Sequence, residues 1–311
     1  MRVSSSMFPN MLSQELGVLS RRLMQLQTES ATGQRIQNPE DDPSAVQQVL
    51  NMQSESSELQ QYQSNIATLQ GTATAAGSAG SALQQIVTRV SDIATSAGGA
   101  VSQQDLDAYA TEVSQLISEA VSTTNTQYNG DYLFGGTLSN QSPFVATTDS
   151  DGQITSVAYQ GNTSVASAEI AQGVTLSVVS PGANTSGSGA GGLIADSRTG
   201  ADLFAHMISL RDHLLSGDVQ SITNTDLPAL QADQQNQILY STNINVAEGR
   251  LTTATTAAQT QQASLTTLIS NDADADLAQT ITSLSQAQYA YQAALQSGAT
   301  ILKQSLLDYL Q

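Results

Sequence analysis

Residues 271–311 read NDADADLAQTITSLSQAQYAYQAALQSGATILKQSLLDYLQ. Counting on from Leu277 in alternating steps of four and three gives Ile281, Leu284, Gln288, Tyr291, Leu295, Gly298, Leu302, Ser305 and Tyr309. Apolar residues recurring in that rhythm form a stripe along one side of an α-helix, and another helix has to cover it. Gln288, Gly298 and Ser305 interrupt the stripe, which favours a bundle over a self-sufficient dimeric zipper. The matching stripe lies at the other end of the chain, where Leu12, Leu16, Leu19, Leu23 and Leu26 repeat in the same steps. A chain whose first and last segments carry complementary stripes folds back on itself, with everything else inserted between them. The expected class is mainly α with a small β insertion. In detail, the N- and C-terminal segments form a long antiparallel helical rod or coiled-coil bundle, with a β-rich tip.

Composition narrows the function. Of 311 residues only 4% are aromatic and none is Trp, so thin Ala-rich helical packing fits better than one large core. A formal charge of −18 argues against nucleic acid and anionic membrane as partners, because both require clustered Lys and Arg. Cysteine is absent, which removes disulfides and thiolate metal sites. No apolar run is long enough to span a bilayer as a helix. The opening Met1–Pro9 lacks the apolar core of a cleaved signal peptide, so the expectation is a cytoplasmic protein or export by another route.

Between the ends, residues 10–32 form an amphipathic helix that stops in a segment holding Gly33, Pro39 and Pro43. Asp42 followed by Pro43 starts the next helix, with a carboxylate cap and then proline at the first position. Its stripe runs from Leu59 through Ile66, Ala73, Leu83, Val87 and Val90 to Ala97, so a helix over 43–97 spans about 80 Å. Ser102 with Asp105 is a capping-box pair, and Leu106, Tyr109, Val113, Leu116 and Ala120 carry the helix behind it. That helix ends near Asn129-Gly130. Phe144–Thr148, Ile154–Gln160, Val165–Ile170 and Val174–Val179 read as strands, and 181–192 as a Gly/Ser-rich linker. Helix returns over Asp202–Leu215, capped by Thr199 and stopped by Gly217. Another begins near Asp226 and follows Tyr240, Ile244, Ala247, Leu251, Ala258, Leu265 and Leu268, and Asn271 caps the last one.

The domains expected are 1–42 with 271–311 as a terminal assembly domain, 43–137 with 200–270 as a helical rod, and 138–199 as a variable β insertion. The composition shift and Gly/Ser-rich exit mark the insertion as a module whose removal leaves the rod intact.

Several stretches are similar to one family. Thr32-Gly33-Gln34-Arg35-Ile36, Asn38, Asp41-Asp42-Pro43 and the terminal Ser305-Leu306-Leu307-Asp308-Tyr309-Leu310 resemble the flagellin superfamily. Met1-Arg2-Val3-Ser4 and Tyr132-Leu133-Phe134-Gly135-Gly136 look like its hook-associated protein 3 group, the hook–filament junction proteins of bacterial flagella. The resemblance covers roughly 1–137 and 200–311 and leaves 138–199 unmatched. It implies a protein exported by the flagellar type III machine and assembled, outside the cell, at the distal end of the hook. It further implies a homo-oligomeric ring, neighbouring hook-associated and flagellin-type subunits, and an export chaperone that guards the C-terminal region. On that reading the assembly contacts are Leu12, Leu16, Leu19, Leu23, Leu26, Arg35, Asn38, Asp41, Asp42, Ile281, Leu284, Tyr291, Leu295, Leu302, Leu306 and Tyr309.

Chemical sites compete poorly with this. His206 and His213 share a helix face but lack the further ligands of a metal centre. Asp149-Ser150-Asp151-Gly152 resembles a calcium loop, yet Gln160 stands where the bidentate Glu belongs, so a plain turn is expected. Asp272, Asp274 and Asp276 suit the electrostatics of a helix start. Gly187-Ser188-Gly189-Ala190-Gly191-Gly192 has neither the preceding strand nor the Lys of a phosphate loop. No nucleophile–base pair stands out, so neither an enzyme nor a cofactor is expected. The alternatives to a junction protein are a filament-forming flagellin with a small outer domain, a type III-secreted coiled-coil effector or translocator, and a glycan-binding β tip.

Overall fold

The computed structural model describes residues 7–99 and 101–309, with side chains over 10–99, 101–300 and at 303. The chain divides into two compact units, Met1–Glu58 with Gln261–Gln311, and Leu59–Thr260. Helices α1 (Met7–Thr32) and α7 (Leu277–Tyr309) belong to the first unit. Helix α2 (Pro43–Ala97) begins in the first unit and α6 (Leu227–Ala273) ends in it. The start of α2 follows its local chemistry: Asp42 Oδ1 accepts the Ala45 N–H at 3.1 Å, and Pro43 occupies the first position.

The second unit is built on α2, α3 (Gln103–Thr124), α4 (Leu203–Ser216) and α6. Ser102 and Asp105 make the reciprocal capping box that starts α3. Its end comes sooner than the sequence suggests. The helix stops at Thr124, and Asn129-Gly130 is instead the turn of a small hairpin between β1 (Gln127–Tyr128) and β2 (Asp131–Tyr132). Both turn residues have positive φ, 53° and 90°, the geometry that makes Asn-Gly a favoured hairpin pair. Antiparallel β3 (Phe144–Thr148) and β4 (Ile154–Tyr159) follow, then β5 (Ala168–Ala171) and β6 (Val174–Leu176). A three-stranded sheet places β8 (Ala195–Asp196) between parallel β7 (Ala183–Asn184) and antiparallel β9 (Ala201–Asp202).

Two expectations about this region fail for one reason, which is burial. The segment 181–192 is no loose linker: Pro181, Gly182, Ala183, Asn184 and Gly192 are buried. The Asn184 amide donates to the Ser188 and Ala190 carbonyls, both at 2.7 Å, and draws the glycine run into a closed loop. The 138–199 segment also has no core of its own. Phe144, Leu193 and Ile194 pack with Leu83, Val87, Ile117, Leu203 and Met207 of the helices. Ile170, Leu176 and Val178 pack with Ile66, Ala73, Ala247 and Leu251. The strands are therefore a cover for the helices, and each side depends on the other for its buried area.

Helix α4 is capped by Asp202, whose side chain accepts from the Ala205 N–H, and not by Thr199. Gly217 stops it in the left-handed conformation, φ 71°. A short turn α5 (Val219–Ser221) leads into a π-helical turn over Ile222–Asp226. Pro228 explains the widening. It has no N–H to give, and its ring crowds the carbonyl four residues back, so the chain opens out before α6.

Candidate functional site

The loop between α1 and α2 is a clamp on the break between α6 and α7, all within the first unit. Gly33 ends α1 with a positive φ of 72°. Arg35 N–H donates to the Ala273 carbonyl at 2.8 Å, and Ala275 N–H returns a bond to the Gly33 carbonyl at 2.8 Å. The Arg35 guanidinium donates to the Asp272 carbonyl at 2.7 Å and pairs with Asp42 at 3.4 Å. Asp41 Oδ2 accepts the N–H groups of Asn38 at 2.8 Å and Gln37 at 3.1 Å, and these bonds hold its carboxyl below the ordinary range. Asp42 is lowered too, first by the Ala45 N–H and then by Arg35. Arg35, Asp41 and Asp42 are therefore bonded within their own chain, while the Arg35 and Asp42 side chains stay 46% and 36% exposed. At the break, Asp276 caps α7 by accepting from Ala278 and Gln279, so Asn271 is not the cap. Asp274 accepts from Ser270 Oγ, which leaves the aspartate cluster in the helix-terminus role.

Beyond the clamp, α1 and α7 pack side by side. On α1, Leu12, Leu16, Leu19 and Leu23 are half-buried and Leu26 is buried. On α7 the covered line is Thr280, Leu284, Ala287, Tyr291, Ala294 and Gly298. Leu12 rests on Gly298 so closely that a Cβ there would lie 2.5 Å from its Cδ2. The expected stripe thus divides. Leu284 and Tyr291 lie on the covered line, whereas Ile281 (54%) and Leu295 (45%) face outward with Leu277. Met11, Val18 and Met24 do the same on α1. The side chains of Leu302, Leu306 and Tyr309 lie outside the described residues.

One feature of the second unit escapes a reading by periodicity. His206 and His213 of α4 each grip a buried carboxylate: His206 Nδ1 lies 2.8 Å from Asp233, and His213 Nδ1 lies 2.7 Å from Asp226. Both aspartate side chains are 1% exposed. Asp233 also accepts the Asp202 N–H at 2.9 Å, and Asp226 accepts Ser209 Oγ at 2.7 Å. Burial opposes charge on His206, but the bond and charge of Asp233 outweigh it, so its pKa is raised. Asp233 is itself pushed up by burial, with His206 and the Asp202 amide pulling the other way. A signal was available. The two His are seven apart and so are the two Asp, and the crossed pairing, first His with second Asp, is that of antiparallel helices. Nearby, Asp196 is lowered to about 2, chiefly by its bonds from Arg198. Its other partner is the Gly192 N–H, so the pair closes the glycine loop. The expected turn at Asp149 is satisfied locally, its Oδ1 accepting from Asp151 and Gln153. Among the described residues no His, Cys, Asp and Glu group has the geometry to hold a metal.

Residues 3–139 match the family model of the bacterial flagellin N-terminal helical region. The chain's fold is that of solved flagellar proteins of low sequence identity. A flagellar hook-associated protein from Vibrio parahaemolyticus superposes with a TM-score of 0.63 at 22% identity, over 75% of this chain and 100% of its own. Hook-associated protein 3 from Legionella pneumophila gives 0.58 at 14%, over 71% and 98%. The flagellar junction protein FlgL from the same organism gives 0.57 at 14%, over 72% and 100%. No curated protein matches the sequence. The matched range takes in the Arg35 loop and the Tyr132–Gly136 turn, which carried part of the resemblance in the sequence, whereas the terminal Ser305–Leu310 stretch lies outside it.

Proposed function

We propose that this chain is a structural subunit of the bacterial flagellum, placed at the hook–filament junction. The observation that carries the reading is the terminal helix pair. It holds outward apolar residues on both helices, on a chain with a flagellin N-terminal region and a hook-associated fold. Met11, Val18 and Met24 on one helix and Leu277, Ile281 and Leu295 on the other are surface that neighbouring subunits would remove from water. The mechanism is helical packing between copies in a ring, with hook-side and filament-side neighbours meeting different faces of the same helices. An export chaperone covering the C-terminal helix before secretion fits the same exposed residues, and the working location is extracellular. The role is structural and not enzymatic.

The test is complementation of a strain deleted for this chain, scored by microscopy for filaments attached to hooks. The wild-type chain should restore attachment. Leu295→Asp should fail to restore it while the purified monomer melts within about 1–2 °C of wild type, because surface substitutions cost within about 0.5 kcal/mol. Long filaments formed by the purified wild-type chain alone would favour a filament flagellin instead. Normal attachment with Leu295→Asp would remove the terminal face from the assembly.

A further inference from the structure

The chain has no Cys, so its oxidisable sulfurs are the thioethers of six Met. Their placement is uneven. Met1, Met7, Met11, Met24 and Met52 all fall in the first unit, and the second holds Met207 alone. Met207 is 0% exposed and lies in the core with Leu203 and Leu210 of the same helix. Met11 and Met24 of α1 are each 56% exposed, and Met52 is half-buried on α2. Met11 adjoins Leu12 and Met24 adjoins Leu23, both on the covered line of α1. Met24 follows Met11 by thirteen residues, a turn of roughly 140° about the helix axis. The two therefore flank the leucine line on opposite sides, and between them they border both faces of α1 beside it.

We propose that Met11 and Met24 are a peroxide-sensitive modification site, through which oxidation weakens the contacts of the terminal helices. The proposal rests on the assembly reading above and adds a chemical control to the same surface. A thioether lone pair attacks one oxygen of hydrogen peroxide. The S–O bond forms as the O–O bond breaks, a proton passes to the departing hydroxide, and water leaves. Sulfur loses two electrons and the peroxide gains them. The reaction needs open approach to sulfur, which the exposed Met11 and Met24 allow and the closed core around Met207 denies. The product matters because of what Met does at a contact. Its flexible, polarisable thioether fits itself to unlike surfaces, which suits a helix meeting hook-side neighbours with one face and filament-side neighbours with another. The sulfoxide is a polar acceptor, and burying it without a donor is unfavourable. Oxidation therefore falls on the surface offered to neighbours and spares the core of Leu59–Thr260.

The experiment treats the purified full-length chain with hydrogen peroxide and maps each Met by peptide mass spectrometry. Self-association is followed by sedimentation, with monomer melting alongside. Met11 and Met24 should each take up one oxygen while Met207 stays unmodified, and the main melting transition should stay in place. Association should weaken roughly tenfold or more, the worth of one buried Met side chain. Methionine sulfoxide reductases, one for each sulfoxide epimer, should restore it. Met11→Leu/Met24→Leu, close in volume and inert to peroxide, should associate like wild type and ignore the oxidant. Met11→Gln/Met24→Gln should associate weakly without any oxidant. Oxidation of Met207 as fast as of Met11 and Met24 overturns the proposal, as does unchanged association of the fully oxidised chain. Equal peroxide sensitivity in the leucine variant overturns it too, because the effect then lies at Met1, Met7 or Met52. So does a wild-type chain that stays monomeric at its solubility limit. Filament attachment by wild type in the deletion strain tests the junction role separately. If the glutamine variant associates and attaches filaments as well as wild type, the modification site falls and the junction role stands.

Discussion

Removing the His206 imidazole should destabilise the Leu59–Thr260 unit and take away part of its pH dependence. The carboxylate of Asp233 is 1% exposed and keeps two bonds, one from His206 at 2.8 Å and one from the Asp202 N–H at 2.9 Å. Breaking a buried pair by deleting one partner costs about 3–5 kcal/mol, because the other charge is left without compensation. His206 is 22% exposed, so water reaches the vacated position and the cost for His206→Ala falls to roughly 2–3 kcal/mol. In a unit of this size each kcal/mol lowers the melting temperature by about 2–4 °C, which gives a loss of roughly 4–12 °C.

The sign with pH follows from the direction of the shift. The folded pKa of His206 is raised above 6.5, with Asp233, Asp202 and Asp226 as the charges that raise it. Its contribution is therefore complete below about pH 6.5 and is lost as pH climbs through the folded value. Calorimetry should show wild type melting lower at pH 8.5 than at pH 6, and a His206→Gln chain should lose part of that slope. Asp233→Asn should cost more at pH 6, where it strands an imidazolium, than at pH 8.5, where its amide can donate to a neutral ring. An equal slope in His206→Gln, or His206→Ala melting within about 1 °C of wild type, would refute the pairing as a source of stability.

Gly192→Ala should collapse the 181–202 loop, because its Cβ would overlap the Ala195 carbonyl and meet the Asn184 nitrogen at 2.6 Å. Both are backbone and cannot yield, so the loss should reach at least about 3 kcal/mol in a denaturant titration. Joining residue 138 to 199 by a short linker should abolish the single cooperative transition of the helices, because Phe144, Leu193 and Ile194 leave with the strands. A chain that still melts cooperatively near the wild-type temperature would contradict the shared core. Arg35→Ala should change stability by less than about 1 kcal/mol, its side chain being 46% exposed, yet speed amide exchange at Ala275, whose N–H bonds Gly33. Unchanged exchange would show that the guanidinium does not hold the clamp.

Where local chemistry decides, the sequence is readable. Asp42-Pro43 starts α2, the Ser102–Asp105 box starts α3 and Gly217 stops α4, because caps and φ preferences act within a few residues. The facing of α7 was not readable in the same way. A stripe from Leu277 and a stripe from Thr280 share Leu284, Tyr291 and Gly298 and differ between them. Counting apolarity chooses Ile281 and Leu295, but two close helices put small residues at the contact, here Ala287 and Ala294. Glycine misled for a related reason. In 181–192 it reads as freedom, yet Gly192 is there because backbone approaches it from two sides. The His–Asp pairs lie 27 and 13 residues apart on different helices, beyond the reach of any single-helix pattern.

The two units differ in how far burial has gone, and this asymmetry bears on assembly. In the second unit, α2, α3, α4 and α6 each bring two or more apolar residues below 1% exposure, among them Leu83, Val90, Val113, Met207, Leu210 and Leu251. In the first unit, the apolar side chains that are buried among those described are Leu26, Ala45 and Leu265. Its helices touch through polar pairs such as Gln261–Glu55 and Gln262–Ser56, both at 2.6 Å. A buried leucine is worth roughly 1.5–3 kcal/mol relative to an exposed one. By that measure Leu12, Leu16, Leu19 and Leu23 have realised only part of their burial, and Ile281 and Leu295 little of it. Contacts added from outside would therefore gain at the terminal helices, and in Leu59–Thr260 chiefly at the exposed Leu215, Ile238, Leu239 and Val246, because the core beneath them is already closed. The assembly proposed above would draw on the first of these surfaces.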